Sequence, residues 1–161
     1  MRGKTVDTIF TRGEESELFS DILNSGSDLR TRVTGSSMAP MIRDGDLVTL
    51  RKVPARDLNP GDIVWFINNS GTSAAHRILK KRVRPEKTCL HTKGDAQLEY
   101  DQWIDENHIL GKVCRIEKPR AHGSTISIDL ETVRWRTAGF LIALFQIIRS
   151  KIVLSVRSRI F

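Results

Sequence analysis

Ser37, His76, Asp95 and Asp101 are the residues whose types could together carry one reaction, the hydrolysis of an amide. That reaction needs a nucleophile, a base to take its proton, and donors for the developing oxyanion. Ser37 stands in a Gly-Ser-Ser-Met-x-Pro turn between two predicted strands. Such a turn presents a hydroxyl outward and leaves backbone N–H groups nearby. His76 lies in Ala-Ala-His-Arg-Ile, inside a segment otherwise patterned as a strand. The acidic candidates Asp95 and Asp101 share the run Thr-Lys-Gly-Asp-Ala-Gln-Leu-Glu-Tyr-Asp. Taken singly, each has a plain structural use: Ser36 and Ser37 bond their own turn, and an Asp after Gly bonds the backbone ahead of it. His91, His108 and His122 have no chemical neighbour that sets them apart. Cys89 and Cys114 are too few and too far apart for a zinc site, and no phosphate-binding glycine loop is present, so no cofactor is expected.

The elements that must position these side chains are short. Residues 14 to 25 pattern as an amphipathic helix with Leu18, Phe19, Ile22 and Leu23 on one face, acidic residues in its first turn and Gly26 at its end. Leu29 to Thr34 alternates as a half-exposed strand, and Leu47 to Val53 follows the Asp44-Gly45-Asp46 turn. Ile63 to Ile67, Ala75 to Val83, Thr88 to Thr92 and Ile109 to Ile116 read as further strands, with Ser124 to Leu130 as a last one. Gly, Pro, Asn and Asp clusters separate them. The fold class is therefore mainly β, an irregular antiparallel barrel or sandwich with a short N-terminal helix. Three regions follow: an N-terminal helical segment (1–28), a β domain (29–118) and a C-terminal tail (119–161). The tail reads as helical, with Phe140, Leu141, Leu144, Phe145, Ile148, Ile152 and Leu154 as its apolar content.

With 39% hydrophobic and 28% charged residues in 161, the composition is that of a folded domain and excludes a disordered chain. The formal charge of +7 sits in the tail. Residues 134–161 hold six basic side chains and no acidic one, while the other 133 residues hold 20 basic and 19 acidic ones. The near-neutral body argues against a nucleic-acid partner. The tail instead suits an anionic membrane surface, bound from the cytoplasmic side without crossing. Only 12 residues separate Arg136 from Arg149, about 18 Å of helix against a hydrocarbon core of about 30 Å.

In order along the chain, these features resemble one family. Gly35-Ser36-Ser37-Met38-Ala39-Pro40-Met41-Ile42-Arg43-Asp44-Gly45-Asp46-Leu47-Val48 resembles the serine box of the type I signal peptidases. Leu58-Asn59-Pro60-Gly61-Asp62-Ile63-Val64-Trp65-Phe66 looks like their Pro-Gly-Asp-Ile-Val strand, and Ala75-His76-Arg77-Ile78 is similar to the box that carries the general base. Thr92-Lys93-Gly94-Asp95, with Asp101 downstream, resembles the Lys-Gly-Asp box, and Leu110-Gly111-Lys112-Val113 the Gly-Lys-Val strand after it. The resemblance covers roughly residues 30 to 116. A histidine followed by Arg and Ile is the form of the archaeal, endoplasmic-reticulum and sporulation-type branch of this S24/S26 superfamily, whereas the bacterial housekeeping enzymes use lysine.

The resemblance implies a serine endopeptidase acting on a leader or signal-type peptide. Ser37 would be the nucleophile and His76 the base. Asp101 would orient His76, with Asp95 as a structural or alternative partner. The Ser37 N–H would be one oxyanion donor and the Ser36 hydroxyl a second. An imidazole, with an ordinary pKa of about 6.5, is a base at neutral pH without tuning, and it gains from a carboxylate that fixes its tautomer. Two departures stand out: no apolar anchor helix precedes the serine box, and Ala96 follows Asp95 where Asn is usual. A dedicated processing protease fits them better than a housekeeping enzyme. The alternatives are a catalytically inactive binding protein on the same fold and a self-cleaving regulator of the LexA-like kind, whose base is lysine.

Overall fold

Alternation decides most of the strands. In β2 (Leu47–Arg51), Val48 and Leu50 are buried while Arg51 is exposed, the period of two that a sheet with one wet face imposes. β3 (Ile63–Ile67) is buried almost throughout, as its unbroken apolar run requires. With β1 (Leu29–Arg32), β4 (Ser73–Arg84), β5 (Lys87–Lys93), β6 (Trp103–Asp105), β7 (Ile109–Pro119) and β8 (Thr125–Asp129), these strands form one antiparallel sheet in the order β1-β2-β7-β3-β4-β5-β6, with β8 beside β7. In this computed structural model, residues 12–120 and 123–157 are described, without the side chains of residues 12–14 and 151–157. His122 and the tail beyond Arg157 lie outside the described residues, as do the side chains of Ile152 and Leu154.

The sheet curls into a half-barrel. Register shifts at Thr49/Leu50, Trp65/Phe66 and Ile78/Lys80 insert the bends that curling needs. β7 is long enough to pair with β3, β2 and β8 along successive parts of its length. Two apolar clusters fill the fold. One joins Phe19 and Leu23 of α1 (Arg12–Asn24) to Val48, Leu50, Val113 and Ile116. The other lies under β3 to β6, around Leu58, Val64, Phe66, Ile78, Leu90 and Ile104.

The C-terminal helix α2 (Val133–Arg157) packs in an unusual sense. Among its described side chains, the buried positions are Gly139, Ala143, Gln146 and Ser150, small or polar residues at three- and four-residue spacing. Its large apolar residues Phe140, Leu141, Leu144, Phe145 and Ile148 are between 44% and 63% exposed. Close approach explains Gly139. Gly61 lies at φ +99°, and a Cβ there would stand 2.5 Å from the Phe140 nitrogen; a Cβ on Gly139 would stand 2.8 Å from the Gly61 carbonyl. Among the described residues, no helix is long and apolar enough to cross a membrane.

Candidate active site

Ser37 is held by the connection between β1 and β2, residues 33–46. Met38 and Ile42 sink into the first core and anchor the turn from below. The Ala39 N–H donates to the Ser36 carbonyl (3.0 Å) and the Ile42 N–H to the Met38 carbonyl (3.0 Å). From above, the segment after β5 closes on it: the Ala96 N–H donates to the Ser37 carbonyl at 2.8 Å. Gly94 lies so close that a Cβ would come 2.7 Å from that same carbonyl. The glycine of the Lys-Gly-Asp run is thus required by contact with the serine turn.

β4 supplies His76, with its ring buried against the edge of Phe66 at 5.7 Å between centroids. Its Nε2 lies 3.2 Å from Ser37 Oγ, and its Nδ1 lies 2.6 Å from Asp101 Oδ2. Asp101 comes from the connection between β5 and β6. Its N–H donates to the Thr92 carbonyl at 3.0 Å, and the Thr92 hydroxyl donates to its Oδ2 at 2.6 Å. Burial pushes the Asp101 carboxyl up. The hydrogen bonds from His76 and Thr92, with the charge of His76 and His91, outweigh that and hold it below the usual carboxylate range. Ser37, His76 and Asp101, from three separate segments, form one hydrogen-bonded line. His76 and Asp101 also line a cleft of about 330 Å3, walled by Phe66, Ala74, Trp103 and Ile104.

Asp95 stands elsewhere. Arg77 points to the opposite face of β4 from His76, as successive strand residues must. Its Nε and Nη2 donate to the two Asp95 oxygens at 2.8 and 2.6 Å, and Gln146 of α2 donates to Oδ1 at 2.7 Å. Arg77 is 1% exposed and Asp95 6%, so this is a buried ion pair. Arg77 also donates to the Gly61 carbonyl at 2.8 Å. Asp95 is therefore the structural partner of Arg77, which ties the sheet to α2. Buried Lys93 donates to Ser150 of α2 at 3.2 Å, and burial together with the charge of Arg149 pushes its pKa down. Ser36 is exposed, and its hydroxyl makes no hydrogen bond among the described residues.

Thr92, Phe66 and Gln146 were not legible as site residues. Thr92 preceded Lys-Gly-Asp in the sequence, yet nothing there says that its hydroxyl meets a carboxylate nine residues on. Among the described residues, no group of His, Cys, Asp and Glu is placed to hold a metal ion.

The chain can now be set beside known proteins. It is 28% identical over 100 residues to a protein named signal peptidase I W of Bacillus subtilis (strain 168). The match covers 60% of this chain and 49% of that protein, so the chain spans about half the length of the relative it matches. No solved structure matches it. A family described as Peptidase S24-like matches residues 5–114, which hold the serine turn, the His76 strand and the Asp101 loop. The chain belongs to the Peptidase S24-like family.

Proposed function

We propose that this protein is a serine endopeptidase of the histidine-base branch, cleaving a leader or signal-type peptide. The observation that carries the reading is the line from Ser37 Oγ to His76 Nε2 (3.2 Å) and from His76 Nδ1 to Asp101 (2.6 Å). In the reaction, His76 Nε2 takes the Ser37 proton as Oγ adds to the scissile carbonyl. The resulting oxyanion accepts from the Ser37 N–H, with the Ser36 hydroxyl within the same turn as a second donor. Asp101, ionised at neutral pH, keeps the Nδ1 proton in place and stabilises the imidazolium. His76 then gives its proton to the leaving amine, and water, activated by the same imidazole, releases the acyl group. Loss of one member of such a unit costs nearly as much as loss of all.

The outward apolar face of α2 adds a location to this reading. Phe140, Leu141, Leu144, Phe145 and Ile148 face solvent, and the charges of α2 are all basic. Apolar residues flanked by cations suit a helix lying in a bilayer interface, and the anionic cytoplasmic leaflet is the surface that attracts them. The protein is thus a peripheral membrane peptidase in this account. The test is incubation with synthetic peptides spanning leader-type cleavage sites, read by mass spectrometry. The parent is expected to cut at one bond, and Ser37→Ala and His76→Ala to leave every peptide intact. Cleavage by Ser37→Ala at the parental bond would remove the nucleophile assignment.

A further inference from the structure

His91 is a half-buried titratable group that the mechanism above leaves unused. Its ring lies between two others in nearly parallel planes. Tyr100 stacks on one face (centroids 4.8 Å, 12°) and Trp103 on the other (4.7 Å, 11°). The Arg82 guanidinium caps the outer face of Trp103 at 4.2 Å. Tyr100 immediately precedes Asp101, and Trp103 follows it by two residues. His91 and Trp103 are also directly opposed across the β5–β6 pairing.

We propose that His91 is a positioning residue, whose ring clamps Tyr100 and Trp103 and thereby holds Asp101 on His76. This rests on the Ser37–His76–Asp101 reading of the preceding subsection. Successive residues of β5 face opposite ways, so Thr92 and His91 grip the Asp101 loop from opposite faces of the sheet. Thr92 takes the Asp101 N–H and carboxylate on the inner face. His91 takes the rings on either side of Asp101 on the outer one. Elsewhere the segment is tied by Ala96 to Ser37, by Asp95 to Arg77 and Gln146, and by Gln102 to Asn69; the stack adds the hold on the rings of Tyr100 and Trp103, on either side of Asp101.

The chemistry of the ring agrees. His91 Nδ1 is buried and has no hydrogen-bond partner among the described residues, so that edge of the ring makes no polar contact while its two faces meet Tyr100 and Trp103. Burial, with the charge of Lys80 and Arg82, holds the His91 imidazole below its ordinary range, against a hydrogen bond to the Asp101 backbone and the attraction of the Asp101 carboxylate. A neutral ring between two aromatic faces is the stacking partner that results. A displacement of about 1 Å at a catalytic group costs up to about 100-fold in rate.

The experiment compares the full-length parent with His91→Ala and His91→Phe, and adds Tyr100→Leu as a second way to open the stack. Two readouts are taken: hydrogen exchange of the Asp101 amide against that of Leu50 in β2, and kcat and KM on a cleaved peptide. In His91→Ala and Tyr100→Leu the Asp101 amide should exchange at least about tenfold faster with Leu50 unchanged. Their kcat should fall by about 10- to 100-fold with KM within about twofold. His91→Phe, which keeps the stack, should restore both. The exchange arm needs no peptidase activity, so it stands or falls apart from the proposed reaction. Parental exchange at Asp101 in His91→Ala, or a phenylalanine variant as impaired as the alanine one, would overturn the clamp.

Discussion

Asp95 and Asp101 lie six residues apart in one loop and serve different ends. Arg77 and Gln146 hold the first; His76 and Thr92 hold the second. Asp101→Asn should therefore lower kcat by roughly 10³- to 10⁴-fold, by analogy with the orienting carboxylate of serine proteases. Asp95→Ala removes one partner of a buried ion pair and should cost about 3–5 kcal/mol of stability, measured by urea unfolding. A pH dependence follows from Asp101. Its folded pKa is depressed, so its contribution to stability is complete above the unfolded value of about 3.9 and is lost as pH falls through the folded one. Urea midpoints of the parent and Asp101→Asn should differ most near neutral pH and begin to converge only as pH falls below about 4. Residue types and spacing named Ser37, His76 and the two carboxylates, but left open which carboxylate meets His76. Which side of a sheet a loop residue reaches is set by packing, and Arg77, next to His76, draws Asp95 to the far face.

At the scale of elements, the strands with clear alternation lie where their pattern places them, from Leu29 to Pro119. β6 has three residues and carries too little pattern to be read, yet it supplies Trp103 to the His91 stack. The helical tail was legible as α2, with its apolar residues turned outward; that small and polar residues would pack against the sheet was not. Apolar residues usually turn inward, but close approach of α2 to Gly61 leaves room there only for Gly139. Two glycines give sharp expectations. Gly94→Ala would press a Cβ against the Ser37 carbonyl at 2.7 Å, and should lower kcat at least about tenfold as the serine turn shifts, read in peptide cleavage. Gly61→Ala would meet both a positive φ and the backbone of α2, and should destabilise the protein by at least about 1–3 kcal/mol in urea unfolding.

For the molecule as a whole, the sheet carries the proposed reaction and α2 the proposed membrane surface. The inner face of α2 bonds Asp95 and Lys93, and its outer face offers phenylalanines and leucines to whatever lies beyond. In sedimentation with anionic liposomes, Phe140→Ser combined with Leu144→Ser should reduce binding of the full chain at least about tenfold without changing its urea midpoint. High salt should weaken binding of the parent, because each cation near the surface contributes about 1 kcal/mol that salt screens. Binding that ignores both changes would separate the membrane reading from the catalytic one, which does not depend on it.

An activated serine is the central claim, and a fluorophosphonate, which phosphonylates such a serine with loss of fluoride, measures it directly. Intact-mass and peptide mapping of the full-length protein should find one adduct per chain, on Ser37, absent in Ser37→Ala and strongly slowed in His76→Ala and Asp101→Asn. An unlabelled parent, or labelling of Ser37 at the same rate without His76, would contradict it.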